Sequence, residues 1–145
     1  MASVKSVNYT KITADPIEKV DSEVLGGKIR VSYDTYEASS LGQGSDITIG
    51  RIPTNATIMD VVLKCDALGG SSTLIVGDAG DDNRYLAAVG TWNAAGQTQS
   101  MLGGSTAANT AMTGLGYRTT AETDIVITTG GATISGSIHC WVMYT

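Results

Sequence analysis

Residues 124–144 read DIVITTGGATISGSIHCWVMY. Two cues in this stretch bear on the fold. Gly130-Gly131 suits a two-residue hairpin loop, because both central positions of a type I′ turn need positive φ. Taking it as the loop pairs Thr129 with Ala132 and Ile127 with Ile134. One face then carries Ile125, Ile127, Ile134, Ile138, Cys140, Val142 and Tyr144. The other carries Asp124, Val126, Thr128, Thr133, Ser135, Ser137, His139, Trp141 and Met143. The turn and the apolar pattern give one register, which predicts a β-hairpin.

A second hairpin is predicted in TIMDVVLKCDALGGSSTLIVGD (57–78), with Gly69-Gly70 at its tip. Met59, Val61, Leu63, Cys65, Leu74 and Val76 then share a face. KIRVSYDTYE (28–37) alternates Ile29, Val31 and Tyr33 against Arg30, Ser32 and Asp34, and DITIGRIP (46–53) is a short strand stopped by Pro53. RYLAAVGTW (84–92) is a further strand. Segment 93–116 is small, polar and aperiodic, and predicts a surface excursion with at most one poor strand. Short strands at close spacing predict an all-β, antiparallel β-sandwich, with a jelly roll as the specific form. Composition agrees: of 145 residues 18 are Gly, none is Phe and 16% are charged, a balance that favours strands and tight turns. Residues 1–25 alternate weakly, and read as an N-terminal arm or an edge strand ahead of a domain over 26–145.

A chain of 145 residues buries a core without metals or disulfides as staples. Its net charge of −5, with basic residues scattered, argues against nucleic acid as a partner. MASVKSVNYTK has no apolar leader, and no run approaches the ~18 apolar residues of a membrane helix, so a soluble, cytosolically made protein without a membrane partner is expected. Cys65 and Cys140 fall on inward faces and are expected as free, buried thiols rather than a bridge.

GDAGDDNR (77–84) holds the densest cluster of metal-type ligands. Asp78, Asp81, Asp82 and Asn83 are bunched rather than alternate, no glutamate follows before Glu122, and Arg84 is adjacent. The residues favour a charged turn, bent at Gly77 and Gly80 and closed by Asx interactions, over a weak cation site. Zinc is disfavoured because His139 and Cys140, as strand neighbours, point to opposite faces. One histidine, and no G-x-S-x-G, phosphate loop or C-x-x-C, leave no catalytic site, so no enzyme and no cofactor are expected.

Several motifs resemble a group of small tailed-bacteriophage virion proteins. They are the leading MASVKSVNYTK, Gly27 to Glu37 (GKIRVSYDTYE), Ile52 to Ala56 (IPTNA), Asp66 to Tyr85 (DALGGSSTLIVGDAGDDNRY) and Thr129 to Ile138 (TGGATISGSI). The resemblance implies a structural component of the virion, made in the bacterial host cytoplasm. A head-decoration or cement protein is the first choice, stabilising the head by binding across capsid-subunit junctions. Its partners would be the major capsid protein and copies of itself, as a homotrimer. A minor tail or fibre protein is the alternative, with a carbohydrate-binding role if Trp92, Trp141 and Tyr117 were exposed for stacking. The interface candidates are Val4, Val7, Tyr9, Ile12, Ile17 and Val20 in the arm, with Trp92 and Trp141 beyond it.

Overall fold

The computed structural model describes residues 4–20, 22, 26–89, 92–103 and 113–145. A short helix α1 (Val7–Ile12) precedes eight strands: β1 (Arg30–Leu41), β2 (Asp46–Ile52), β3 (Ile58–Cys65), β4 (Thr73–Asp78), β5 (Asp81–Val89), β6 (Gln97–Ser100), β7 (Thr123–Gly130) and β8 (Ile134–Tyr144). They form two four-stranded antiparallel sheets, ordered β1-β8-β3-β6 and β2-β7-β4-β5. The protein is an all-β sandwich. Pairing is nested: β1 with β8, β2 with β7, β3 with β6 and β4 with β5. The β3–β8 and β4–β7 ladders join these pairs into sheets.

Period-two alternation aims one side of each strand at the other sheet. Ile47, Ile49 and Ile52 of β2, Ile58, Val61 and Leu63 of β3, and Leu74 and Val76 of β4 are buried there. Ile125 and Ile127 of β7 meet them with Ile134, Ile138, Cys140 and Val142 of β8. Each large aliphatic side chain so buried contributes roughly 1.5–3 kcal/mol relative to exposure.

The inward faces are those the alternation predicts, but the two predicted hairpins are not hairpins. β7 and β8 lie in different sheets, as do β3 and β4, and only β4 and β5 are consecutive strands within one sheet. The physical reason is that two strands facing each other across a core show the same apolar alternation as two strands paired side by side. The glycines serve the corners instead. Gly131 has φ +74°, and a Cβ there would collide with the Ser71 carbonyl oxygen of the β3–β4 link. The two sheet-to-sheet corners therefore touch, backbone against backbone.

Two smaller expectations also change. Met59 is exposed, because the β3–β8 register shifts between Ile58 and Asp60 and this bulge turns Ile58 inward. Among the described residues of the N-terminal segment there is one short helix. Ser6 caps α1, its Oγ accepting the Tyr9 N–H at 3.4 Å, and no strand occurs among the described residues before Arg30.

The corner contact is testable. Gly131→Asn would be tolerated in a type I′ hairpin, but here it is expected to lower stability by about 2–4 kcal/mol in urea denaturation, since no Cβ fits against Ser71. Gly42→Asn, with nothing within 4 Å of its added Cβ, should stay within about 0.5 kcal/mol of the parent.

Candidate functional site

The acidic stretch is the β4–β5 hairpin, with Ala79-Gly80 as its two-residue loop and Asp78 opposite Asp81. Gly77 is not a bend. It lies in β4 opposite Val126, and a Cβ there would collide with the β5 backbone at Asp81 and Asp82. Asp78 turns into the protein, with its side chain 4% exposed. Its Oδ1 accepts the Gly80 N–H at 2.9 Å and the Asp81 N–H at 3.2 Å. Its Oδ2 accepts Arg84 Nε–H at 2.8 Å and the Tyr85 hydroxyl at 2.8 Å. Arg84 also lies over the Tyr117 ring, 4.0 Å from its centroid.

Burial alone would raise the Asp78 pKa, but the hydrogen bonds from Tyr85, Arg84 and Gly80 outweigh it and hold the carboxyl below the usual range. The Tyr85 phenol is pushed far up, by burial first and then by its bond to Asp78. The Arg84 pKa is raised because its pairing with Asp78 outweighs desolvation. Asp81 Oδ1 accepts the Asn83 N–H at 3.3 Å, while Asp82 is exposed. Among the described residues, no three His, Cys, Asp or Glu side chains form a group that could hold a metal ion. The cluster is arranged as a turn pinned to the core by Arg84 and Tyr85.

Cys65 and Cys140 are buried and unbridged, and burial first of all pushes each thiol up to about 12. Neither is placed as a nucleophile.

The larger anomaly lies at the other end of the chain. From Val4 to Glu37 no described residue is buried, and the first buried position is Ala38. Val4, Val7, Tyr9, Ile12, Ile17, Ile29, Val31, Tyr33 and Tyr36 are all exposed, against only Met59, Leu102 and Leu115 among the large apolar residues described elsewhere. Val4 reaches 88% exposure and Ile17 75%. Val20 is half-buried. Large exposed apolar side chains are thus concentrated in one segment of the described chain. Trp92 does not belong to it. At 1% exposure it is part of the core, and the Leu68 N–H bonds its carbonyl at 2.8 Å. Buried in the core cluster, its ring is unavailable for stacking on a sugar. Tyr117, packed against the core between Tyr85 and Arg84, is equally committed.

Trp141 does lie on an outer face, that of the β1-β8-β3-β6 sheet, and it has ring neighbours that sequence reasoning missed. Tyr33 is its cross-strand partner, with centroids 5.0 Å apart. Tyr33 and His139 are nearly parallel, 8° apart, with the Tyr33 hydroxyl and His139 Nδ1 hydrogen-bonded at 2.8 Å. Whether Nδ1 donates or accepts, its bonding direction lies in the imidazole plane, so the two rings sit side by side rather than face to face. The available signal was the KIRVSYDTYE alternation, which placed Ile29, Val31 and Tyr33 together without saying which way they faced.

No family model and no curated protein matches this chain. Solved structures do. A chain of the Cyanophage Pam1 capsid asymmetric unit is similar at 27% identity and TM-score 0.64, over 80% of this chain and 83% of that one. A chain of the capsid of Ralstonia phage GP4 is similar at 19% identity and TM-score 0.60, over 82% and 84%. A chain of the acidic stable capsid of Helicobacter pylori bacteriophage KHP30 follows at 10% identity and TM-score 0.57, over 80% and 86%. The last two speak to the fold alone. The first, a chain of a phage capsid structure, supports a structural protein of the phage virion.

Two outcomes are expected here. Asp78→Asn should cost about 2–4 kcal/mol at pH 7, since it leaves Arg84 without its buried partner. Because the folded pKa of Asp78 is lowered, its contribution is complete above the unfolded value of about 4 and is lost as pH falls through the folded one. Paired urea titrations should therefore show the gap between parent and variant closing in acid. Both thiols should react with a maleimide only once denaturant opens the core, and fast native-state labelling of either would contradict the burial.

Proposed function

We propose that this chain is a head-decoration, or cement, protein: a non-enzymatic structural subunit that binds the major capsid protein across subunit junctions. Copies of it associate as a homotrimer, and the nested strand order β1-β8-β3-β6 over β2-β7-β4-β5 supports a jelly-roll form of the sandwich. The observation that carries the reading is the uncovered first quarter. Residues 4–37 present nine large apolar side chains that the described part of the chain leaves exposed. In water that arrangement is unfavourable unless a partner covers it. Similarity to chains of phage capsid structures says what kind of partner to expect. A contact burying roughly 1,200–2,000 Å², repeated around a shell, reinforces a lattice without any chemistry.

Deleting residues 1–20 should leave the sandwich folded, because none of the described residues removed is buried. The same deletion should weaken binding to decoration-free heads by about a hundredfold or more. Occupancy of truncated and full-length protein on such heads is the measurement. Equal occupancy would put the binding surface elsewhere. Failure of both forms to bind would move the protein to the tail or fibre.

A further inference from the structure

We infer that β1 pairs along its free edge with β1 of a second copy, antiparallel about a twofold axis at Ser32. The inference goes beyond the decoration reading and does not depend on it. The contact is a twofold one, separate from the threefold association proposed above.

The ladder on β8 shows which backbone groups of β1 are already used. Along a strand, alternate residues turn their N–H and C=O to opposite sides. The Ser137 carbonyl accepts the Asp66 N–H at 3.0 Å, and Thr145 exchanges both bonds with Thr57, so the odd residues of β8 face β3. Its even residues, Ile138 to Tyr144, therefore bond the even residues Tyr36 to Arg30 opposite them. That leaves the N–H and C=O groups of Val31, Tyr33, Thr35 and Glu37 on the open side. The Thr35 N–H is taken there by Asp34 Oδ1 at 2.8 Å. Long edges are usually guarded by a bulge, a proline or a lysine. The register on β8 runs unbroken from Arg30 to Ala38, and neither proline nor lysine occurs between them. What such an edge accepts is another extended chain.

The charge order along the strand selects a second copy as that chain. From Lys28 to Glu37 the charged residues are Lys28 and Arg30 at the start, then Asp34 and Glu37 at the end. A strand of that polarity opposes like charges to a parallel copy and opposite charges to an antiparallel one. It is complementary to itself, reversed.

The open groups fix the register. They belong to odd residues, so odd must lie opposite odd, and a single residue sits on the axis. With Ser32 there, Arg30 faces Asp34 of the second copy at both ends, and Val31 faces Tyr33, each such pair exchanging both N–H···O bonds. Val31 and Tyr33 are more than half exposed in the single chain, and the pairing sets a β-branched side chain against an aromatic one. Ser32 meets its duplicate in a narrow, non-hydrogen-bonded pair, where a small side chain fits. Other registers are worse. An axis at Asp34 sets that carboxylate against itself, one at Tyr33 sets Arg30 against Tyr36, and one at Val31 matches Asp34 only with Lys28, which lies outside β1.

The test is disulfide trapping of the full chain in glutathione buffer, without heads. Cys65 and Cys140 are buried and do not compete. Ser32→Cys brings two Cα atoms to about 4.5 Å across the axis, within disulfide reach. Thr35→Cys is the control, exposed on the same strand but opposite Ile29. Ser32→Cys should form covalent dimer at least about tenfold faster. Added to Ser32→Cys, either Arg30→Asp or Asp34→Arg sets like charges opposite and should slow trapping about tenfold. Both positions are exposed. Mixing those two proteins restores opposite charges at both contacts, and heterodimer should form within about threefold of the Ser32→Cys rate. Equal trapping of Ser32→Cys and Thr35→Cys, or a mixture no faster than its components, would overturn the inference. If Ser32→Cys fails to fold, hydrogen exchange on the parent decides: the Val31 and Tyr33 amides should gain protection as concentration rises, and unchanged protection would overturn it. Heads are absent from these measurements, so edge pairing and head binding can fail independently.

Discussion

Strict alternation along one central strand organises the protein. Ile134, Ile138, Cys140 and Val142 of β8 point into the core, and His139, Trp141 and Met143 point out of it. The strand has β1 on one side and β3 on the other, and its outer pairing joins the two ends of the domain, Arg30 opposite Tyr144. That ladder cannot form until residues 114 positions apart in sequence, Arg30 and Tyr144, have been brought together (144 − 30). Nested, long-range pairing of this kind carries a loop-closure cost at nearly every step, so folding is expected to be slow for the chain's size. A one-residue slip of β8 would put Trp141 in the core and Ile138 in solvent. The core and the outer face therefore depend on the same register.

Most of the fold's inside was legible, and its connectivity was not. Alternation correctly assigned Ile125, Ile127, Leu63, Val76 and Cys140 inward, because period two reports which way a side chain points. It reports nothing about whether the next strand lies beside or opposite. Gly130-Gly131 looked like a hairpin tip because a sheet-to-sheet corner also needs positive φ, and adds a close approach to Ser71 that no local pattern encodes. Met59 was misplaced by a bulge, and bulges leave no mark in a hydrophobic count. The six-residue helix α1 sits in a sequence with mediocre helix propensity, held locally by its Ser6 cap and by the Thr13 hydroxyl on the Tyr9 carbonyl at 2.7 Å. In the acidic hairpin the placement of Arg84 next to three aspartates pointed to the ion pair that Arg84 makes with Asp78. What the sequence could not show was that Asp78 alone turns inward and takes both Arg84 and Tyr85.

That hairpin explains why the most chemically suggestive motif is structural. A carboxylate available for a cation needs free lone pairs and solvent access, and Asp78 has neither. Its two oxygens accept from four donors, two of them backbone N–H groups of its own turn. Replacing those bonds by a metal would strand Arg84 beneath Tyr117 without a counter-charge. The polar groups best placed for chemistry are thus occupied in holding the β4–β5 end of the sandwich closed.

The N-terminal surface is built oddly for an isolated molecule. β1 is a 12-residue edge strand, a length usually guarded against unwanted pairing, yet only Ala38 in it is buried. Ahead of it the arm presents Val4, Val7 and Ile17 to water. A segment with so little burial cannot repay the entropy of ordering it, roughly 1–2 kcal/mol per residue for the backbone alone. On the decoration reading this becomes useful. A partner that supplies the missing apolar contact would meet the ordering cost of the arm beyond its short capped helix. The sandwich, whose core is complete without residues 4–37, folds first and holds β1 in register on β8. Ordering then proceeds outward from Arg30 along a strand already fixed at one end, which restricts the search and favours a partner whose own surface is repeated at a matching distance.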